Sequence, residues 1–461
     1  MTLRSPAALA ILVAACATPQ PPTVDPSRAQ RIAQLTERAL ADNRAVATLT
    51  SLLDAAPKRL AGSPGAAAAV QWALAAMQDA GLQHVRAEPC MVPHWVRGEE
   101  RAEILGTGTP LRITALGGSI ATPAAGIEAE VVEVRSFEQL QALGEQARGK
   151  IVFFNRPMPR ALRRTGTAYG EAVPQRSNGA IEAGKAGALA AIVRSVTTAI
   201  DGHPHTGAMR YDDAVPKVPA AAIATADAEQ LAAALQRGPV RVRLVLGCET
   251  KPDVADANVV GELVGSDRAD EIVLLGAHLD AWDLGRGAHD DGAGVAHVLE
   301  AVRLLQACGI KPRRTIRVVL FANEENGLRG ATAYAVAHAD ELSRHHAAIE
   351  TDSGGFSPTG FSCSLRGDAA AALRGEFAPL QEVGAGVFVE GAGAGGADIA
   401  PLHAAGVPCL ALWTDGQRYF DYHHTTLDDL PMVNERELAL GAAVLAYAAS
   451  VLADSRAPGD R

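Results

Sequence analysis

Five short stretches of this sequence carry side chains that hold metals or move protons. They are His278-Leu279-Asp280, His289-Asp290-Asp291-Gly292, Asn323-Glu324-Glu325, Glu350-Thr351-Asp352 and Asp421-Tyr422-His423-His424-Thr425. Imidazole and carboxylate together suit zinc better than manganese or cobalt. Taken singly, each stretch reads as a helix cap or a solvated loop. Converging in one place, two histidines and several carboxylates would be costly without a cation to balance them. Residue types alone leave two choices open: Asp290 or Asp291, and His423 or His424.

The elements that precede these stretches explain why they should converge. From Asn258 onward the pattern alternates strand and helix. Glu271 to Ala277, Thr315 to Ala322, Ala347 to Thr351 and a segment within Val407 to Trp413 read as strands. Gly294 to Ala307, Ala331 to Ala339, Asp398 to Ala405 and Glu435 to Leu452 read as helices. Such alternation predicts an α/β fold, with a mixed, mainly parallel central sheet flanked by helices. In open sheets of this kind, sites form beyond the carboxyl ends of the strands. The ligand-type residues follow the predicted strands, as that rule requires.

Residues 30–124 and 250–461 are assigned to this domain, the first part being helical from Gln30 to Leu82. Residues 125–249 differ in character and read as a small inserted α/β domain. It carries short apolar strands at Gly149 to Phe154 and Ala188 to Arg194, with a helix at Asn178 to Gly187. A length of 461 residues fits two such units better than one core. The formal charge of −10, with no basic run, argues against nucleic acid as a partner.

The N-terminus reads as a targeting segment. Arg4 precedes a short apolar run, Ala7 to Val13, which ends at Val13-Ala14-Ala15-Cys16. That spelling resembles a bacterial lipoprotein processing site, so residues 1–16 form a signal peptide and Cys16 the lipid-bearing terminus. Residues 17–29, with Pro19, Pro21, Pro22 and Pro26, form an extended tether. The expected location is outside the cytoplasm, with membrane contact only through the lipid anchor. Cys90, Cys248, Cys308, Cys363 and Cys409 remain, an odd number without CxxC spacing, which excludes a thiolate zinc site.

His278-Leu279-Asp280, Asp290-Asp291-Gly292-Ala293-Gly294, Asn323-Glu324-Glu325, Asp352 and His424-Thr425 together resemble the five-part motif of the co-catalytic di-zinc exopeptidases. That family includes leucyl aminopeptidases and glutamate carboxypeptidases. The match is closer to its plasma glutamate carboxypeptidase branch. It extends through Ala281-Trp282-Asp283-Leu284-Gly285, and to His205-Thr206-Gly207, Val215-Pro216-Lys217-Val218-Pro219 and Gly184 to Ala190 in the insert. The insert itself resembles a protease-associated domain. The resemblance implies two Zn2+ ions, bridged by Asp290. His278 and Asp352 would complete one site, Glu325 and His424 the other. Two ions about 3.5–4 Å apart can share one water. Glu324 would be the general base, and Asp280 would orient His278 by accepting its other ring N–H. The motif favours Asp290 over Asp291, and the spelling His424-Thr425-Thr426-Leu427-Asp428 favours His424 over His423.

These residues predict a zinc-dependent exopeptidase acting on dipeptides or short peptides with a free N-terminus. Carboxypeptidase chemistry and hydrolysis of a non-peptide amide are alternatives on the same metals. A non-catalytic binding protein on this fold would have lost ligands, whereas every expected position is filled here. A homodimer is compatible with the resemblance. Gly391 to Gly396 lacks the ending of a phosphate loop and reads as a flexible cleft loop leading to Asp398, which would be structural or shape the pocket. His203-Pro204-His205, in the insert, reads as a surface turn, the alternative being a substrate-contacting loop that reaches over the cleft.

Overall fold

The computed structural model describes residues 26–455. The signal peptide, Cys16 and the tether as far as Asp25 lie outside the described residues. Residues 26–29, assigned to the tether, instead open a helix, Pro26–Ala41. Proline suits a first helical turn because its missing N–H would be unpaired there anyway. Ile32, Leu35 and Ala39 recur at helical spacing and are buried, which draws the helix onto the core.

The first sheet has eight strands. Its order is Gln83–Val96, Glu249–Leu263, Arg314–Phe321, Arg268–His278, His345–Glu350, Cys409–Thr414, Pro358–Cys363 and Val387–Glu390. Arg314–Phe321, Arg268–His278, His345–Glu350 and Cys409–Thr414 run parallel at its centre. Arg314–Phe321 is buried along its whole length, as a central parallel strand covered on both faces requires. The pairing Gly276↔Val319, Ala277↔Leu320, His278↔Phe321 brings the carboxyl ends of adjacent strands level. Ala293–Ala307 and Glu435–Asp454 pack together against the sheet. The second of these is apolar and long enough to cross a bilayer, but Leu438 to Ala453 are buried, which makes it a core helix. Asn434 caps it, accepting the N–H groups of Arg436 and Glu437.

The second sheet also has eight strands. Its order is Thr109–Leu111, Glu100–Ile104, Arg241–Leu246, Ile127–Val134, Ile151–Phe154, Ala190–Arg194, Ala220–Ile223 and Ile113–Ala115. Alternate residues face two cores. Ile151, Phe153, Ile192 and Ala221 join one; Val152, Phe154, Val193 and Ala222 join the other. Three strands that precede residue 125, Glu100–Ile104, Thr109–Leu111 and Ile113–Ala115, also pair into this sheet. Its first three strands are three to five residues long, too brief to announce themselves by periodicity. Its stem is a ribbon in which Gln83–Val96 pairs antiparallel with Glu249–Leu263, from Gln83↔Glu262 to Val96↔Glu249. The five described cysteines are unpaired.

Candidate metal centre

The strand Arg268–His278 ends on His278, and Arg314–Phe321 leads through Ala322 and Asn323 to Glu324 and Glu325. His345–Glu350 ends two residues before Asp352. These side chains meet Asp290, from the turn before helix Ala293–Ala307, and His424. Asp290 Oδ1 lies 3.1 Å from His278 Nε2, and its Oδ2 lies 3.1 Å from His424 Nε2. His278 Nε2 is 3.8 Å from Asp352 Oδ1, and His424 Nε2 is 3.0 Å from Glu325 Oε2. One carboxylate thus stands between two donor sets.

The neighbours of Asp290 and His424 are spent differently. Asp291 accepts the N–H of His278 at 3.1 Å and that of Gly294 at 3.0 Å, so its carboxylate braces backbone. Gly294 is required there: a Cβ would stand 2.3 Å from Asp291 Oδ1. His423 stacks on His424 with ring centroids 3.4 Å apart, and its Nε2 lies 3.6 Å from Asp290 Oδ2. It is a further nearby donor, but Tyr169, Tyr419 and Phe420 enclose its ring. His424 has a left-handed backbone, φ 63°, uncommon for a residue with a Cβ. Two bonds to Thr206 hold it. The Thr206 N–H donates to the His424 carbonyl at 3.1 Å, and His424 Nδ1 donates to the Thr206 carbonyl at 3.2 Å. The second bond fixes the tautomer and leaves Nε2 for a metal.

Asp280 differs from the expectation. Its backbone carbonyl, 3.1 Å from His278 Nδ1, orients the imidazole, while its carboxylate stands 3.7 Å away. That carboxylate instead accepts the N–H of Glu324 at 3.0 Å and of Glu325 at 3.4 Å. The reason is local. A carbonyl two residues along the chain already reaches the ring, and the tight loop after the next strand presents two amides that need an acceptor. Asp428 plays a similar part, accepting the N–H of His289 at 2.7 Å and of Asp290 at 3.1 Å. Beneath the loop, the buried Arg59 donates to the carbonyls of Leu279, Arg286 and Gly287.

Charge in the centre is unbalanced. Burial pushes Asp291, Glu324, Glu325 and Asp352 above the usual carboxylate range, and Asp280 and Asp428 each up to about 7. Burial also works against ionised Asp290, yet His278 and His424 hold it well below that range. Burial opposes the charged form of His424 too, but Glu325 and Asp290 raise it to about 10. Protons on imidazole here do the work of a cation. Asp290 Oδ2 is buried, with His424 Nε2 at 3.1 Å and His423 Nε2 at 3.6 Å. The two expected zinc ions fit these residues: His278, Asp290 and Asp352 converge at one point, and Asp290, His423 and His424 at another, with Glu325 beside His424.

Three comparisons bear on this site. The family model described as "Peptidase family M28" matches residues 258–449. Carboxypeptidase Q of Mus musculus is 39% identical over 415 residues, covering 89% of this chain and 86% of the relative. The chain belongs to peptidase family M28. Carboxypeptidase Q of Homo sapiens is 38% identical, over 92% of this chain and 89% of its own. The crystal structure of a peptidase M28 precursor from Shewanella amazonensis superposes with a TM-score of 0.90 at 41% identity, covering 93% of this chain and 97% of that one. An aminopeptidase from Aneurinibacillus shares the fold, at TM-score 0.64 and 23% identity over 92% of this chain and 97% of its own. Membership in M28 makes this chain a peptidase and agrees with a mixed, mainly parallel sheet flanked by helices.

Within that M28 site, the insert contributes more than the sequence suggested. His205, read as part of a surface turn, is 2% exposed, and its neighbour Thr206 grips His424. The residues 205–207 figured in the family resemblance, and that was the available signal. Asp428 was legible only as the end of the His-Thr-x-x-Asp spelling, and Arg59 not at all. Asp398 is fully buried beside Glu350, which burial pushes up to about 7, and it belongs to neither donor set.

Proposed function

We propose that this chain is a two-zinc exopeptidase that cleaves dipeptides or short peptides next to a free amino terminus. One observation carries the reading: Asp290 faces His278 and Asp352 on one side, and His424 and Glu325 on the other. His278 and Asp352 would hold one zinc ion, His424 and Glu325 the other, and Asp290 both. When bound, the ions polarise the scissile carbonyl and acidify the attacking water.

The remaining steps belong to the protein. Glu324 follows the same strand as Glu325 and is half-buried, where Glu325 is buried. Asp280 fixes the Glu324 backbone, and burial raises the pKa of Glu324 above the usual carboxylate range, which makes it a better proton acceptor. Glu324 takes the water's proton and returns it to the leaving amine. The carbonyls of Asp280 and Thr206 keep both imidazoles in the ligating tautomer.

The proposal also includes export and lipid attachment at Cys16, supported by Arg4, the run Ala7 to Val13 and the spelling before Cys16. Cys16→Ser should abolish incorporation of labelled palmitate and release the protein from membranes. The inserted unit is proposed to be a protease-associated domain, on the resemblance of Gly184 to Ala190.

The deciding experiment uses one dipeptide in free, N-acetylated and C-amidated forms, with zinc-loaded and chelated protein. Cleavage of the free and amidated forms alone, abolished by chelation, makes the enzyme an aminopeptidase. Cleavage of the free form alone makes it a dipeptidase. Cleavage of the acetylated but not the amidated form would replace the proposal with a carboxypeptidase. Cleavage of none would remove the peptide reading.

A further inference from the structure

Among the described residues, every buried arginine but one has its charge or its donors accounted for. Arg97 pairs with Asp283 at 2.7 Å, Arg194 with Glu229 at 2.7 Å, Arg314 with Glu271 at 2.5 Å and Arg317 with Glu262 at 2.7 Å. Arg59 gives its donors to three carbonyls. Arg176, on helix Pro174–Lys185 of the inserted unit, is the exception. It is 8% exposed and has no acidic partner among the described residues. Its Nη2 donates to the Tyr169 hydroxyl at 2.6 Å, and its Nε makes no hydrogen bond. A guanidinium carries five N–H donors in a fork that matches a carboxylate. Burying it with Nε unpartnered and no counter-ion is expensive unless a ligand completes it.

Its position names the ligand. The guanidinium lies against Gly207, where a Cβ would come within 2.5 Å of Arg176 Cζ. The adjacent Thr206 is the residue bonded in both directions to His424. The Tyr169 ring, 5.4 Å from Arg176 Cζ, is itself 5.4 Å from the ring of His423. Beside it His205, 2% exposed, has no partner for either ring nitrogen. A fixed cation and a buried imidazole thus stand next to Thr206 and Tyr169, the residues of the inserted unit that touch His424 and His423. In a dipeptide, the terminal carboxylate carbon is three bonds from the scissile carbonyl carbon, a reach of about 3.5–4 Å. A group that binds this carboxylate must therefore adjoin the metal centre. A longer peptide would put a neutral amide there and leave the buried charge unmatched.

We infer that Arg176, with His205 beside it, anchors the terminal carboxylate of a dipeptide substrate. This rests on the peptidase reading above. It makes Arg176 a specificity residue supplied by the inserted unit.

The test compares alanyl-leucine with alanyl-leucinamide in the zinc-loaded wild type, Arg176→Ala and Arg176→Lys. The wild type should favour the free dipeptide by about 30-fold or more in kcat/KM, the scale of losing one partner of a buried charge pair. Arg176→Ala should erase that preference, mainly through KM for the free dipeptide, with the amide nearly unaffected. Arg176→Lys should restore part of it. An equal loss on both substrates, or a preference that survives Arg176→Ala, would overturn the proposal. Calorimetric titration of alanyl-leucine into zinc-loaded Glu324→Gln, with and without Arg176→Ala, reads the anchor without turnover. If the wild type cleaves neither substrate, the peptidase reading fails. The anchor then stands on weakened binding in the double variant and falls if binding is unchanged.

Discussion

His278 and His424 offer Nε2 to the same aspartate at the same 3.1 Å, but their rings are steadied from different distances along the chain. His278 gives Nδ1–H to the carbonyl of Asp280, two residues on. His424 gives Nδ1–H to the carbonyl of Thr206, 218 residues away in the inserted unit. The first half of the centre is complete within the peptidase sheet; the second is completed only by the insert. Covering units are readily pictured as lids laid over a finished site. Here the insert is joined to the site by Thr206, by the contact of Thr165 with the Gly416 carbonyl at 2.7 Å, and by the stacking of Tyr169 on Phe420 at 4.5 Å.

The largest effect should come from the residue that both halves share. Asp290→Ala should release both ions, measured as metal content after dialysis, and abolish turnover. If both ions stay bound, the bridge belongs to Asp291 and the comparison of two halves around Asp290 collapses. Next comes Glu324→Gln. It should keep both ions and lower kcat by about 10²–10⁴-fold, the usual worth of a general base. Loss of metal in that variant would turn Glu324 into a ligand.

How much of this was legible beforehand follows from the same contrast. The strands Arg268–His278 and Arg314–Phe321 are runs of Val, Ile and Leu buried on both faces, and such runs are plain in a sequence. The residues that follow them carry the chemistry, so His278, Glu324, Glu325 and Asp352 could be found by position. The ribbon Gln83–Val96 was not foreseen, because its Pro89 and Pro93 and its half-exposed pattern imitate a loop. Thr206 was quoted only for its spelling. Its function depends on a carbonyl meeting a histidine two hundred residues later, and no periodicity encodes such a contact. Arg176 lies outside the predicted helix Asn178 to Gly187 and drew no reading, since burial without a counter-ion is visible only in three dimensions.

Thr206→Val should separate the halves. The Thr206 hydroxyl donates to the Ala115 carbonyl at 2.8 Å and accepts from Arg97 at 3.2 Å. Without it the segment that holds His424 loosens, while the Asp280–His278 contact is untouched. Affinity for one ion should fall about 10–100-fold, as for other groups that orient a metal ligand. The other ion should be retained, giving a protein with half the metal after dialysis against a weak chelator. Equal weakening of both would mean that the insert braces the centre as a whole.

The smallest effect concerns acidity, and it applies to the His424 half. Without metal, Glu325 and Asp290 raise His424 to about 10 even though burial opposes its charge, so the ring is protonated at neutral pH. A metal ligand must be neutral, and zinc has to displace that proton. Apparent affinity at this site should therefore fall about tenfold for each unit of pH lost below 10, one proton being released per ion bound. Proton release on zinc addition, followed with an indicator in weak buffer, measures it directly. The metal-free fold should show the opposite trend. The His424 ion pair stabilises it fully below the ordinary histidine pKa, near 6.5, and fades as pH rises toward 10. Chelation should then lower the melting temperature more at pH 9 than at pH 6. A loss independent of pH would mean that the imidazole is already neutral without metal, and that the carboxylates around it are balanced by some other charge.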